Sequence, residues 1–302
     1  IGKMTFPRKV NLYEVGPRDG LQNEKEIIPI DIKVNLINKL INCNFKEIEI
    51  GSFVSPKWVP QMADSEIIID KINKPETISF PVLTPNLKGV QKAIEKKADT
   101  VCVFVTASET FSKKNTNCTV SESLKRVEEI ISEVKKHNIK VRGYLSCVLG
   151  CPYEGKVSYE STADLASFLI EQGCYQVSLG DTIGCGTPFD AIKLFELVSK
   201  KVNIENIAAH FHDTYGQALS NIYAVLQMGV QTIDTSVAGL GGCPYAKGAT
   251  GNVATEDVLY MLNGMGIKTG IKLEEIIEVS WYISNYMKRL PNSRVARAYF
   301  NQ

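Results

Sequence analysis

Two of the three histidines in this 302-residue chain, His210 and His212, flank a single phenylalanine in AAHFHDTYGQAL. Residues i and i+2 of an extended segment project to the same face, so this spacing aims both imidazoles one way and Phe211 the other. A lone histidine near a strand end is most often a hydrogen-bonded core residue, whereas a pair on one face suits a metal ion. Asp19 in VGPRDGLQ offers a carboxylate, and Asn252, closing the glycine-rich GLGGCPYAKGATGN, offers an amide oxygen. Two nitrogens and two oxygens with room left over favour a divalent ion such as Mg²⁺ or Mn²⁺ over a closed structural zinc site. Arg18, next to Asp19, has two compatible uses: a partner for Glu49, or a fixed fork of donors where an oxyanion develops. Cys243 stands in a segment with five glycines in fourteen residues, which reads as a loop able to close over a site. A thiol there is a candidate proton donor or acceptor, unlike Cys102 or Cys174, whose neighbours are apolar.

These residues need a scaffold that gathers them from distant parts of the chain. Eight runs rich in Val, Ile and aromatics read as strands: VNLYEVG, KEIEIG, TISFPVL, TVCVFVTA, KVRGYLSC, QVSLGD, IAAHFH and TIDTSVAG. Between them lie helical stripes, as in Ile32, Leu36, Ile37 and Leu40, or Leu124, Val127, Ile130, Ile131 and Val134. Eight strand–helix alternations predict a (β/α)8 TIM barrel, for which about 250 residues is typical. The alternative is a doubly wound open sheet. Its dinucleotide form loses support because VGPRDGLQ stands where a G-x-G-x-x-G would open the first helix. We read residues 1–302 as a single catalytic domain with 272–302 as a C-terminal helical extension. Its helix, Leu273 to Leu290, is expected across the barrel or at a subunit contact. In such barrels reactive groups sit at the carboxyl ends of strands. Arg18 and Asp19 follow the first strand, Glu49 ends the second, Asp181 the sixth, and His210 and His212 the seventh.

Composition narrows the partners. Hydrophobic residues make up 44% and charged residues 22%, with a formal net charge of +1, which fits a folded globular chain and gives no field to attract nucleic acid or an anionic membrane. No apolar run approaches the roughly 20 residues that span a bilayer, and IGKMTFPRKV lacks the apolar core of a signal peptide. The expected location is cytoplasmic for a bacterial source, or the mitochondrial matrix for a processed eukaryotic form. The eight cysteines show no C-x-x-C pairing, which argues against a zinc ribbon and a disulfide framework.

The segments VGPRDGLQNEK, IEIGSFVSPKWVPQMAD, SCVLGCPYEGK, SLGDTIG, HFHDTYGQALSN and VAGLGGCPYAKGATGNVATEDVLYML resemble the 3-hydroxy-3-methylglutaryl-CoA lyases over nearly the whole chain. The R-D-G start and the H-x-H are shared with a wider superfamily of metal-dependent barrels, including isopropylmalate and homocitrate synthases. G-G-C-P-Y-A singles out the lyases. The resemblance implies Asp19, His210, His212 and Asn252 as metal ligands. It implies Arg18, Glu49, Asp181, His210 and Cys243 as the catalytic set, with Arg18 and Gln22 at the substrate. It further implies an acyl-CoA substrate, retro-Claisen cleavage to acetyl-CoA and acetoacetate, and a homodimer. The competing readings are a condensing synthase of the same superfamily and a non-catalytic metal-binding barrel.

Overall fold

The computed structural model describes residues 5–242 and 251–299. Eight parallel strands form one sheet: β1 Asn11–Glu14, β2 Gly51–Ser52, β3 Val82–Leu83, β4 Thr100–Thr106, β5 Lys140–Ser146, β6 Gln176–Asp181, β7 Ile207–Phe211 and β8 Thr232–Thr235. From β2 to β8 each strand pairs with its neighbours in sequence, and β1 pairs with β8. The remaining gap closes through a parallel bridge between Glu14 and Ile48, where the Glu14 N–H donates to Glu47 at 3.2 Å and the Glu49 N–H donates to Glu14 at 2.9 Å. A closed barrel results, not an open doubly wound sheet.

The helices are α1 Ile30–Ile41, α2 Ser65–Lys71, α3 Leu87–Glu95, α4 Glu109–Thr116, α5 Val120–Lys135, α6 Tyr159–Gln172, α7 Pro188–Ser199, α8 Ala218–Leu226, α9 Thr255–Gly264, α10 Leu273–Tyr286 and α11 Arg294–Tyr299. Their starts follow local chemistry. In α5 the Thr119 side chain accepts from the Glu122 N–H and the Glu122 carboxylate accepts from the Thr119 N–H, satisfying two orphan donors. The apolar stripes predicted for α1 and α5 face inward, with Leu36, Ile37, Leu40, Val127, Ile130, Ile131 and Val134 all buried.

Two strands are shorter than the sequence suggests. In TISFPVL, Pro81 has no N–H to give to the ladder, so regular pairing in β3 begins at Val82. Residues 47–50 still exchange hydrogen bonds with Glu14, Ser79 and Pro81, holding Glu49 in the wall ahead of β2. The first helix of the C-terminal extension, α10, also differs. It ends at Tyr286, not Leu290, because Lys288 takes a left-handed φ of 54° and Pro291 disfavours a helical residue before it. It packs against α1, α9 and the turn at 237–239, in the outer helical layer.

Barrel interiors of this type are usually filled by branched aliphatics. Here Tyr13, Glu49, Cys102, Arg142, Tyr144, Ser178 and Asp234 are all buried and meet inside the strands. Charge in the middle of a barrel is costly, and its arrangement explains the site above it.

Candidate active site

The site begins with GPRDG. After β1 the chain makes one wide helical turn over Gly16–Gly20, closed by the Gly20 N–H donating to the Val15 carbonyl at 3.1 Å. Such i to i−5 turns recur at functional sites. The buried Glu14 carboxylate anchors the turn, accepting from the Gly16 N–H at 2.8 Å and from the Val237 N–H at 3.0 Å. Only glycine fits at position 20, since a Cβ there would lie 2.7 Å from Ser236 Oγ and 2.8 Å from Leu240 Cβ. The turn delivers Arg18 and Asp19 to the mouth of the barrel.

There Asp19 meets both histidines. Asp19 Oδ2 lies 3.3 Å from His210 Nε2 and 3.9 Å from His212 Nε2. The three residues present ligand atoms within 4.8 Å of one another, forming a group able to hold a metal ion. Alternation along β7 is as expected: His210 and His212 face the mouth, while Phe211 packs on Phe195 of α7 with ring centroids 5.9 Å apart. Asn252 joins them through a bridge to His212, and its Nδ2 donates to Asp19 Oδ2 at 2.8 Å. The two ends of the glycine-rich segment touch, for Gly251 has φ +75° and a Cβ there would lie 2.4 Å from the Gly241 carbonyl carbon. For the amide to ligate a cation, its oxygen must take the place its nitrogen holds here.

Electrostatics tie the group together. Burial alone would push His210 down, but the carboxylates of Asp19 and Asp234, one on each ring nitrogen, lift it to about 9. His212 goes the other way, to about 4, through burial and then the His210 charge. Asp19 resists burial and is held well below the usual carboxylate range by Arg18 and the two histidines. His212 Nδ1 is buried with no hydrogen-bond partner. Two imidazoles and a strongly ionised carboxylate around one point, with an orphaned ring nitrogen beside them, fit a divalent cation.

Arg18 is 6% exposed and fixed from below. Its Nε donates to Glu49 Oε1 at 2.6 Å, and its Nη1 to Asp19 and Gln22, each at 3.2 Å. Glu49 Oε2 accepts from Tyr13 at 2.9 Å and from the Tyr144 hydroxyl. Both uses read for Arg18 are therefore available, since it pairs with Glu49 through Nε and still lines the cavity. That cavity, about 310 Å³, is lined by Arg18, Asp19, Gln22, Tyr144, His210 and His212 among others. A second of about 670 Å³ adjoins it through Gln22, Trp58 and Phe104.

Asp181 is placed differently. Its carboxylate accepts from the Cys185 N–H at 3.3 Å and the Gly186 N–H at 2.8 Å, holding the loop after β6, and its neighbours Gly180 and Thr182 line the cavity. Burial raises its pKa. Cys243 lies outside the described residues. Tyr144, Arg142 and Asp234 were missed from sequence. Their signal was available: a charged or hydroxylated side chain inside the segments KVRGYLSC and TIDT, both read as strands of the barrel wall.

Residues 9–283 match the family model described as HMGL-like. The chain belongs to the HMGL-like family. It is 52% identical over 293 residues to the mitochondrial hydroxymethylglutaryl-CoA lyase of Gallus gallus, covering 97% of this chain and 98% of that protein. Among solved structures it is similar to hydroxymethylglutaryl-CoA lyase from Pseudomonas aeruginosa, with TM-score 0.96, 50% identity, and 98% and 99% of the two chains covered. It is also similar to an HMG-CoA lyase from Acinetobacter baumannii in complex with coenzyme A and 3-methylmalate, with TM-score 0.93, 34% identity, and 97% and 96% covered. The TIM-barrel fold read from the strand–helix count is thus shared with solved lyases. Among the described residues no helix is long and apolar enough to cross a membrane.

Proposed function

We propose that this chain cleaves 3-hydroxy-3-methylglutaryl-CoA to acetyl-CoA and acetoacetate. The observation that carries the reading is that a metal-capable group and a buried, oriented guanidinium share one cavity wall, in a chain half-identical to lyases over nearly its full length. The reaction is a retro-Claisen cleavage. The C3 hydroxyl loses its proton, the C2–C3 bond breaks as the C3 carbonyl of acetoacetate forms, and the electron pair moves to the thioester carbonyl. The resulting enolate of acetyl-CoA takes a proton at carbon.

Asp19, His210, His212 and Asn252 would hold a divalent ion, for which Mg²⁺ or Mn²⁺ suits the donor set, and that ion would supply Lewis-acid activation of the C3 hydroxyl. Arg18, whose guanidinium lines the cavity, is the donor for the enolate oxygen; one such donor contributes roughly 3 to 4 kcal/mol. Glu49 orients it and Gln22 shares the substrate wall. Of the two acceptors read for the hydroxyl proton, His210 faces the cavity but spends its Nε2 lone pair when it ligates. Asp181 keeps a raised pKa but must release a backbone N–H to act. Cys243 is the proposed proton donor to carbon. The adjoining cavity beside Trp58 offers room for the thioester arm.

Incubation with Mg²⁺ and 3-hydroxy-3-methylglutaryl-CoA tests the reading. Stoichiometric acetoacetate supports it. Condensation of acetyl-CoA with an oxo-acid, and no cleavage, would favour the synthase alternative. The homodimer belongs to the same proposal, and a monomer in sedimentation velocity at micromolar concentration would remove it.

A further inference from the structure

We infer that Asp234 and Arg142 are a buried positioning pair that holds His210 by its Nδ1 hydrogen and thereby aims its Nε2 at Asp19. The inference rests on the reading of Asp19, His210 and His212 as ligands of a divalent ion.

His210 Nδ1 lies 2.9 Å from Asp234 Oδ2. An ionised carboxylate only accepts, so Nδ1 is the nitrogen that carries hydrogen in this contact. That leaves Nε2, 3.3 Å from Asp19 Oδ2, as the nitrogen a cation would take in exchange for the hydrogen it shares with that carboxylate. Asp234 cannot swing away. Arg142 clasps it in a two-pronged pair, with Nη2 donating to Oδ1 at 2.6 Å and Nη1 to Oδ2 at 3.1 Å, and Ser178 Oγ donates to Oδ2 at 2.7 Å. Arg142 is fully buried and is itself held, its Nε donating to Gln176 at 2.8 Å and its guanidinium lying 3.7 Å from the centre of the Tyr13 ring.

A pair that merely filled the barrel would be a poor choice. Two buried charges lose more hydration than their attraction returns in many proteins, and apolar residues of similar volume pack as well. What apolar residues cannot supply is an acceptor for Nδ1. Hydrogen bonds of this kind orient metal-bound imidazoles, and their removal typically weakens metal affinity roughly 10- to 100-fold.

The test uses the full chain without substrate and reads Mn²⁺ binding by electron paramagnetic resonance, with near-ultraviolet circular dichroism and thermal unfolding as checks of fold. Asp234→Asn presents an N–H that pairs with a bare Nδ1 and favours the wrong tautomer. Its Mn²⁺ dissociation constant is expected to rise 10- to 100-fold. The double variant Arg142→Met with Asp234→Leu leaves no unpaired buried charge and carries the test if the single variant fails to fold. It should lose the same affinity while keeping the fold. A pair with only a packing role predicts that the charge-free double binds Mn²⁺ like wild type, and that result overturns the inference while leaving the ligand reading intact. Absence of Mn²⁺ binding by the wild type would sink the ligand reading and this inference with it.

Discussion

Replacing Glu49 with glutamine probes the link between the barrel interior and the mouth. Glu49 is fully buried and receives three donors: Arg18 Nε at 2.6 Å, the Tyr13 hydroxyl at 2.9 Å and the Tyr144 hydroxyl. Glutamine keeps the shape and one acceptor oxygen but removes the charge, leaving the Arg18 guanidinium buried beside Asp19 alone, and it turns an N–H toward one of the former donors. Removing one partner of a buried pair costs about 3 to 5 kcal/mol, and the conserved shape argues for about 3. For a chain of this length that lowers the unfolding midpoint by about 6 °C. Activity should fall through Arg18: with its Nε anchor weakened the guanidinium is no longer held toward the enolate oxygen, and kcat should drop roughly 100-fold, near the loss for Arg18→Gln itself. The decisive assay is the double variant. If Glu49 acts through Arg18, Glu49→Gln with Arg18→Gln should be no slower than Arg18→Gln alone, and more stable than Glu49→Gln because no unpaired charge is left inside. Fully additive losses in kcat would refute the coupling and give Glu49 a separate role at the substrate.

His212→Ala should lose Mn²⁺ affinity and turnover together, as measured by metal content after dialysis and acetoacetate formation; wild-type metal content in this variant counts against the ligand group. Asp181→Asn separates a base from a loop anchor: with one acceptor oxygen retained, loss of turnover on the order of 100-fold in a variant of unchanged melting temperature marks a base, and near-normal turnover marks an anchor. Burial lifts the Glu14 carboxyl to about 8 against the donors that oppose it, so the folded chain keeps a proton that the unfolded chain sheds above about 4.5. Stability should fall as pH rises across that window, by of order 4 kcal/mol, and Glu14→Gln should abolish this slope; equal changes in urea midpoint between pH 5 and pH 8 in both proteins would refute it. Cys243→Ser should retain Mn²⁺ binding while turnover falls strongly, since a hydroxyl is a far weaker acid than a thiol near pKa 8.5, and unaltered turnover would return the thiol to a packing role.

The fold was legible because parallel strands buried on both faces must be apolar runs, and the eight runs named are where the barrel pairs. The shared face of His210 and His212 was legible for a local reason, the two-residue period of a strand, which needs no tertiary information. What sequence could not convey was direction at strand ends. Asp181 ends β6 as expected, yet its carboxylate serves the backbone of residues 185 and 186, a choice made by the path of the following loop. Asp234 and Arg142 were overlooked because each is the single buried charge of its strand, 92 residues from its partner. Register alone brings them opposite one another. The end of α10 was misread because the apolar pattern continues to Leu290, and the left-handed turn at Lys288 has no signal stronger than Pro291 three residues later.

Two columns of buried polar residues rise through this barrel, and both terminate at the cavity. One runs from Tyr13 and Tyr144 through Glu49 to Arg18; the other runs from Gln176 through Arg142 and Asp234 to His210. Each ends on a side chain that a solvent-exposed position would leave free to rotate, and each places its hydration cost where aliphatic layers would otherwise add stability. The columns meet at Asp19, which touches Arg18 on one side and His210 on the other. A shift in either column therefore displaces the same carboxylate. That coupling explains why polar residues persist in an interior that packing alone would fill with Val and Ile: they fix the spacing between the Arg18 guanidinium and the group of Asp19, His210 and His212, a distance no single loop could hold.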